Sequence, residues 1–220
     1  MTARGLFITI EGGEGVGKST NLSTLESYLR DNGVDLLVTR EPGGTALGED
    51  LRQLLLGLRE EPVAAMSELL LIFAARAQHI AERIEPALAA GQWVLCDRFT
   101  DATYAYQSGG RGIAFDRVRE LENLVQGSLR PDYTILLDVP VEVGMARARG
   151  RGELDRIERE DLEFFQRVRQ AYLDLAESGG GRYRLVDAGQ PLDAVQREIL
   201  KVGKELLSCR ETRPEANPCS

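Results

Sequence analysis

The chain has 220 residues, 43% of them hydrophobic, with 35 acidic against 27 basic side chains and a net charge of −8. That length and apolar content suffice for one sizeable core, and the acidic balance argues against a nucleic-acid partner, whose phosphate backbone demands a basic excess. No apolar run reaches membrane-spanning length, the N-terminus enters its first apolar segment almost at once, and the three cysteines lack metal-ligand spacing, so a cytoplasmic protein in a reduced compartment is expected, with no membrane partner.

The first predicted element is the strand Leu6 to Ile10, which runs into Gly12-Gly13-Glu14-Gly15-Val16-Gly17-Lys18-Ser19-Thr20. Gly12 to Ser19 fits G-x-x-x-x-G-K-[ST], the phosphate-binding loop of nucleoside triphosphate proteins. Glycines at 12, 13, 15 and 17 let successive backbone N–H groups turn inward on phosphate oxygens. Lys18 adds a point charge at the β- and γ-phosphates, and Ser19 a hydroxyl for Mg²⁺. The helix predicted from Gly17 to Arg30, with Leu22, Leu25 and Leu29 on one face, points its positive end at the same phosphates.

Further strands are predicted at Val34 to Thr39, Trp93 to Cys96, Tyr133 to Leu137 and Tyr183 to Val186, with helical periodicity between them. Strands apolar on both faces and separated by helices imply an α/β fold, a parallel five-stranded sheet flanked by helices on both faces, with ligands at the carboxyl ends of the strands. After the second strand, Thr39-Arg40-Glu41-Pro42-Gly43-Gly44-Thr45 forms a tight loop able to present Arg40 and Glu41, and the next helix carries Arg52. In the helical region Pro62 to Ala90, Arg76 shares an apolar stripe with Ile72 and Phe73 and requires a partner, which a ligand could supply. His79 reads as structural or surface. No histidine-dependent chemistry is needed.

The third strand ends in Cys96-Asp97-Arg98-Phe99. An acid at the end of an apolar strand, in a chain with a phosphate loop, is the usual partner of the Mg²⁺ site, and Arg98 would face the phosphates. Thr100 to Gln107, carrying Thr103, Tyr106 and Gln107, can both stack on a ring and hydrogen-bond. After the fourth strand, Arg147-Ala148-Arg149-Gly150-Arg151-Gly152 suggests a lid, about 147–157, that brings a cation to the transferring phosphoryl group and excludes water. A helix is expected from Ile157 to Glu177. A single domain over 1–207 and a disordered tail over 208–220 complete the reading.

These residues carry a family resemblance. Glu-Gly-Gly-Glu-Gly-Val-Gly-Lys-Ser-Thr, Thr-Arg-Glu-Pro-Gly-Gly-Thr, Phe-Ala-Ala-Arg-Ala-Gln, Asp-Arg-Phe, Ala-Tyr-Gln-Ser-Gly-Gly-Arg-Gly and Arg-Ala-Arg-Gly-Arg-Gly-Glu-Leu-Asp-Arg-Ile-Glu, in that order, resemble the bacterial thymidylate kinases of the P-loop nucleoside monophosphate kinase class. The resemblance implies ATP-dependent phosphorylation of dTMP to dTDP for dTTP synthesis, with Mg²⁺ and in a homodimer. It implies Lys18 and Ser19 at the ATP phosphates with Asp97 near the metal, Glu14 at the sugar 3′-hydroxyl, and Arg98 and Arg52 on the monophosphate with Glu41 beside them. Arg76, Thr103 and Gln107 would contact thymine, and Tyr106 would close over the deoxyribose. The family commonly stacks thymine on an aromatic four residues before the arginine; here residue 72 is isoleucine, and Phe73 is assigned that role. The loop carries no arginine, so Arg151 of the lid is the expected transition-state cation, and Arg147 is placed against adenine. Two rivals stand beside this reading: another small kinase acting on a different nucleotide, and a non-enzymatic ATP-binding switch.

Overall fold

A segment such as Phe7-Ile8-Thr9-Ile10-Glu11, buried at every position, can be satisfied only in a sheet covered on both faces. The computed structural model, which describes residues 4–150 and 155–212, shows that sheet. Strands β1 (Phe7–Glu11), β2 (Leu36–Arg40), β3 (Trp93–Asp97), β4 (Tyr133–Asp138) and β5 (Tyr183–Asp187) are all parallel in the order β2-β3-β1-β4-β5. The helices are α1 (Lys18–Asp31), α2 (Ala46–Leu56), α3 (Ala65–His79), α4 (Glu85–Ala89), α5 (Thr100–Thr103), α6 (Phe115–Gln126), α7 (Val141–Arg149), α8 (Leu162–Ser178) and α9 (Leu192–Thr212).

Alternate strand residues feed two cores. Ile8, Ile10, Leu95 and Ile135 pack with Leu25 and Leu29 of α1 and Val195 and Ile199 of α9. On the opposite face Phe7, Val94 and Cys96 meet Ile80, Ile84 and Leu88, while Leu136 meets Phe165 and Val168 of α8. From β1 the chain passes to the edge strand β2, returns to β3 beside β1, and then crosses to β4 and out to β5 on the other side. Connections therefore part at the carboxyl end of β1, where open α/β sheets bind their ligands.

Three expectations are corrected. The helical region expected over 62–90 is a continuous stack from Ala65 to Ala89 that widens into a π-helix at Ile80–Ile84, directly after His79. A second π-helix, Tyr104–Gly110, follows α5 and carries Tyr106 and Gln107; such segments concentrate at functional sites because they displace side chains from the regular helical positions. Helix α8 starts at Leu162 rather than Ile157, because Asp161 caps it through the Phe164 N–H at 2.7 Å while Asp155 holds the N–H groups of Ile157 and Glu158 in a turn. The disordered tail expected from Ser208 is corrected for its first residues, since α9 continues to Thr212, and the rest of that stretch lies outside the described residues. Leu206 is buried, Tyr133 donates its hydroxyl to Cys209 Sγ at 3.0 Å, and no proline interrupts the helix before Pro214. Of the expected lid, Arg147 and Arg149 belong to α7, and Arg151 lies outside the described residues.

Candidate active site

A cavity of about 440 Å³ opens at the carboxyl ends of β1, β2 and β3. Its lining brings together Glu14, Gly15, Val16, Gly17, Lys18 and Ser19 of the loop with Glu41, Arg52, Arg76, Asp97, Arg98, Thr103, Tyr106 and Gln107, residues scattered over most of the sequence. Asp155, Ile157 and Glu158, from the stretch between α7 and α8, complete the lining.

The phosphate loop is shaped by close backbone approach. Gly15, at φ 67°, lies so near α7 that a β-carbon there would stand 1.9 Å from Gly144 O. Lys18 Nζ bends back over the loop, donating to Gly12 O at 3.2 Å and Gly13 O at 2.9 Å. Desolvation and the neighbouring Arg98 guanidinium push its ammonium down to about 8, so the loop holds an under-stabilised cation suited to a polyphosphate. The exposed Ser19 hydroxyl and Asp97 share this wall, and Asp97 Oδ1 is buried without a hydrogen-bond partner. Thr20 is exposed and outside the lining, and Gly12 and Gly13 face a small void between the loop and β4.

Arg98 is the one described non-glycine residue with positive φ, 68°, a conformation costing about 1–3 kcal/mol that must be held by its surroundings. The hold is explicit. Its Nη1 donates to Gly12 O at 3.0 Å and Tyr172 Oη at 3.1 Å, and its Nη2 to Glu14 Oε1 at 2.7 Å and Tyr106 Oη at 3.0 Å. The Tyr106 hydroxyl also donates to Glu14 Oε1 at 2.8 Å, and the guanidinium sits 4.8 Å over the Tyr106 ring. Behind them the Tyr172 hydroxyl donates to Glu11 Oε2 at 2.8 Å, and Phe99 N–H donates to Glu11 Oε1 at 2.7 Å. Burial, reinforced by the Asp101 charge, raises the Glu11 carboxyl to about 8. Arg52 donates Nη1 to Pro42 O at 2.9 Å; burial and repulsion from Arg40 lower its pKa, another sign of a cluster short of anions.

At the other end Arg76, 2% exposed, donates Nε to Glu41 Oε2 at 2.7 Å and Nη2 to Thr103 Oγ1 at 3.0 Å, while Nη1 has no partner. The partner demanded by the sequence is therefore partly Glu41 and partly open. His79, fully buried, bridges Glu41 Oε1 at 2.9 Å and Thr39 Oγ1 at 2.7 Å, so the structural reading of this residue stands and the surface one falls. The expectation for Phe73 is corrected: its ring is buried against Leu69, Tyr104 and Val118 under the Arg76 guanidinium, outside the cavity, and Ile72 lines the cavity instead. One residue of helical rotation, about 100°, separates the two faces. Arg147 also lies outside this cavity, donating Nη1 to Ala188 O at 3.0 Å in the loop after β5.

Sequence reasoning missed Glu11, Glu68 and Tyr172. Glu11 carried the signal that found Asp97, an acid ending an apolar strand, and Glu68 carried the signal that found Arg76, a charge on the apolar stripe of α3, at positions 68, 72 and 76. Hydrogen bonds from Arg156 and Gln107 and the Arg111 charge outweigh desolvation, the largest single influence, and leave the Glu68 carboxyl below its usual range. Tyr172 had no local signal, because its role depends on the fold bringing α8 within hydrogen-bond reach of Glu11.

A cradle for a triphosphate facing a second group of arginines is the architecture of P-loop kinases that pass a phosphoryl group between two nucleotides. The family model described as thymidylate kinase matches residues 10–199. The chain is 59% identical over 199 residues to a thymidylate kinase of Teredinibacter turnerae, covering 90% of this chain and 96% of that one, and 61% identical over 195 residues to one of Pseudomonas putida, covering 89% and 93%. A crystal structure of thymidylate kinase from Ehrlichia chaffeensis superposes with a TM-score of 0.73 at 34% identity, covering 90% of this chain and 98% of that one. The chain belongs to the thymidylate kinase family.

Proposed function

We propose that the protein transfers the γ-phosphoryl group of ATP to dTMP, giving ADP and dTDP, in the supply of dTTP for DNA synthesis. Besides family membership, one observation carries the choice of acceptor: Arg76 is buried at the cavity wall with Nη1 unpaired. An unpaired buried N–H costs about 1–3 kcal/mol, and a pyrimidine carbonyl would satisfy it.

In the reaction an oxygen of the dTMP phosphate bonds to the γ-phosphorus as the bond to the β–γ bridging oxygen breaks and ADP leaves. The attacking oxygen is already anionic, so no strong general base is required, and positioning with charge neutralisation does the work. Loop N–H groups and Lys18 receive the ATP phosphates. Ser19 and Asp97 would hold Mg²⁺, which neutralises charge on the β- and γ-phosphates; an exposed hydroxyl and a carboxylate with one oxygen free of hydrogen bonds suit a hard cation otherwise coordinated by phosphate and water. Arg98 and Arg52 take the dTMP phosphate, Glu14 its 3′-hydroxyl, and Arg76, Thr103 and Gln107 the base, with Glu41 fixing Arg76. Tyr106 fills the space at C2′, and Ile72 supplies an apolar wall for the ring.

The same reading places Arg151 at the transferring phosphoryl group, Arg147 beside adenine, the protein in the cytoplasm, and two copies in a dimer. Among the described residues no helix is long and apolar enough to cross a membrane. A coupled ADP-release assay with dTMP, dUMP, dCMP, dGMP and ribo-TMP tests the function. The expected order is dTMP, then dUMP at about 10–200-fold lower kcat/KM, with the others far behind. Equal use of dCMP and dTMP would overturn the assignment of the base site.

A further inference from the structure

Glu68 lies on α3, two turns before Arg76, and is 1% exposed. Its carboxylate accepts from Gln107 Nε2 at 2.9 Å, Arg111 Nε at 3.2 Å and Nη2 at 3.4 Å, and Arg156 Nη2. Arg156 also donates Nε to Leu55 O at 2.8 Å, and Arg111 donates Nη1 to Glu160 at 2.6 Å, so the carboxylate is anchored to α2 and to the turn before α8. The bond to Glu68 is the only side-chain hydrogen bond of Gln107 among the described residues, which leaves its Oε1 open. Both Gln107 and Arg76 line the cavity.

A guanidinium can only donate. A primary amide can present either end, because half a turn about its last bond exchanges oxygen and nitrogen. A carboxylate can only accept, so Glu68 decides the matter by drawing Nε2 to itself and leaving Oε1 for the cavity. The cavity then offers a donor, Arg76 Nη1, together with an acceptor, Gln107 Oε1. That pair complements a pyrimidine with a carbonyl at position 4 and N–H at position 3, and opposes one with an amino group at 4 and a bare nitrogen at 3.

We infer that Glu68, without touching the nucleotide, is a positioning residue for acceptor specificity that locks the Gln107 amide with its oxygen toward the N3–H of the base. The inference rests on the reading above that Arg76 and Gln107 face the base. Arg111 and Arg156 supply the positive charge that lets a carboxylate stay ionised in a buried position, as the lock requires.

The experiment measures kcat/KM for dTMP and dCMP in wild type, Glu68→Gln and Gln107→Leu. In Glu68→Gln the isosteric amide lets Gln107 turn either way, and the dTMP to dCMP ratio is expected to fall by about tenfold or more, chiefly through opposite changes in KM. Glu68→Ala, with water in place of the carboxylate, predicts the same loss and stands in if the first variant does not fold. Glu68→Asp, which keeps an acceptor, should retain the ratio. A purely structural role would lower both substrates alike, so an unchanged ratio in Glu68→Gln or Glu68→Ala, with the ratio lost in Gln107→Leu, overturns the role of Glu68 and leaves the base site standing. An unchanged ratio in Gln107→Leu overturns the base assignment itself.

Discussion

Lys18 and Glu11, at the two ends of the phosphate loop, reach about the same pKa from opposite directions, because burial opposes whichever form is charged. With Lys18 lowered to about 8, the free enzyme loses the loop cation as pH rises through that value, whereas bound triphosphate restores it by proton uptake. The kcat/KM for ATP should therefore decline above about pH 8 with a single-proton slope while kcat stays level; a flat kcat/KM profile to about pH 10 would contradict the assignment. Glu11 has the other sign. Its folded value of about 8 exceeds the usual 4.5, so the folded chain holds a proton the unfolded chain has lost, and stability from this group is full below about 4.5 and falls as pH rises through about 8. Glu11→Gln removes that loss. Its melting temperature should exceed that of wild type by about 3 °C or more near pH 8.5 and converge with it near pH 5 in scanning calorimetry.

At the scale of elements, the loop and α7 are held together by two glycines meeting backbone to backbone. A β-carbon on Gly144 would stand 2.4 Å from Glu14 O, and one on Gly15 1.9 Å from Gly144 O. Gly144→Ala touches neither nucleotide, yet it must push the loop away from α7. The KM for ATP is expected to rise by about tenfold or more with a smaller effect on KM for dTMP, measured with each substrate varied in turn. Equal effects on both would point to general destabilisation instead. The two π-helices belong to this scale as well. The first begins directly after His79 and the second carries the Tyr106-Gln107 pair off the regular helical register, and local periodicity carries no sign of them.

The whole molecule leaves apolar side chains on one outer surface unpaired. Leu47 and Leu54 of α2 and Met66 and Leu70 of α3 are each 45–51% exposed, on two helices that pack against one another. A closed two-fold assembly through this surface would bury them. Sedimentation at micromolar concentration should give a species of twice the 24.3 kDa chain mass, and Leu70→Glu should shift it to the monomer. A wild-type monomer would refute the dimer.

Much of this protein was legible in one dimension because its determinants are local. The phosphate loop is a contiguous spacing, β1 and β3 are short apolar runs ending in Glu11 and Asp97, and the order of strands and helices already implies a parallel sheet with its site at the carboxyl edge. The folded chain decided what depends on orientation and on contacts between distant segments. Whether Ile72 or Phe73 faces the cavity turns on about 100° of helix rotation, set by packing against Tyr104 and Val118. Arg98 is held in its strained conformation by Gly12, Glu14, Tyr106 and Tyr172, which come from three separate stretches of sequence. A carboxylate at residue 68 acquires meaning only when folding brings Gln107, Arg111 and Arg156 to it, because hydrogen bonds act over about 3 Å of space regardless of separation along the chain.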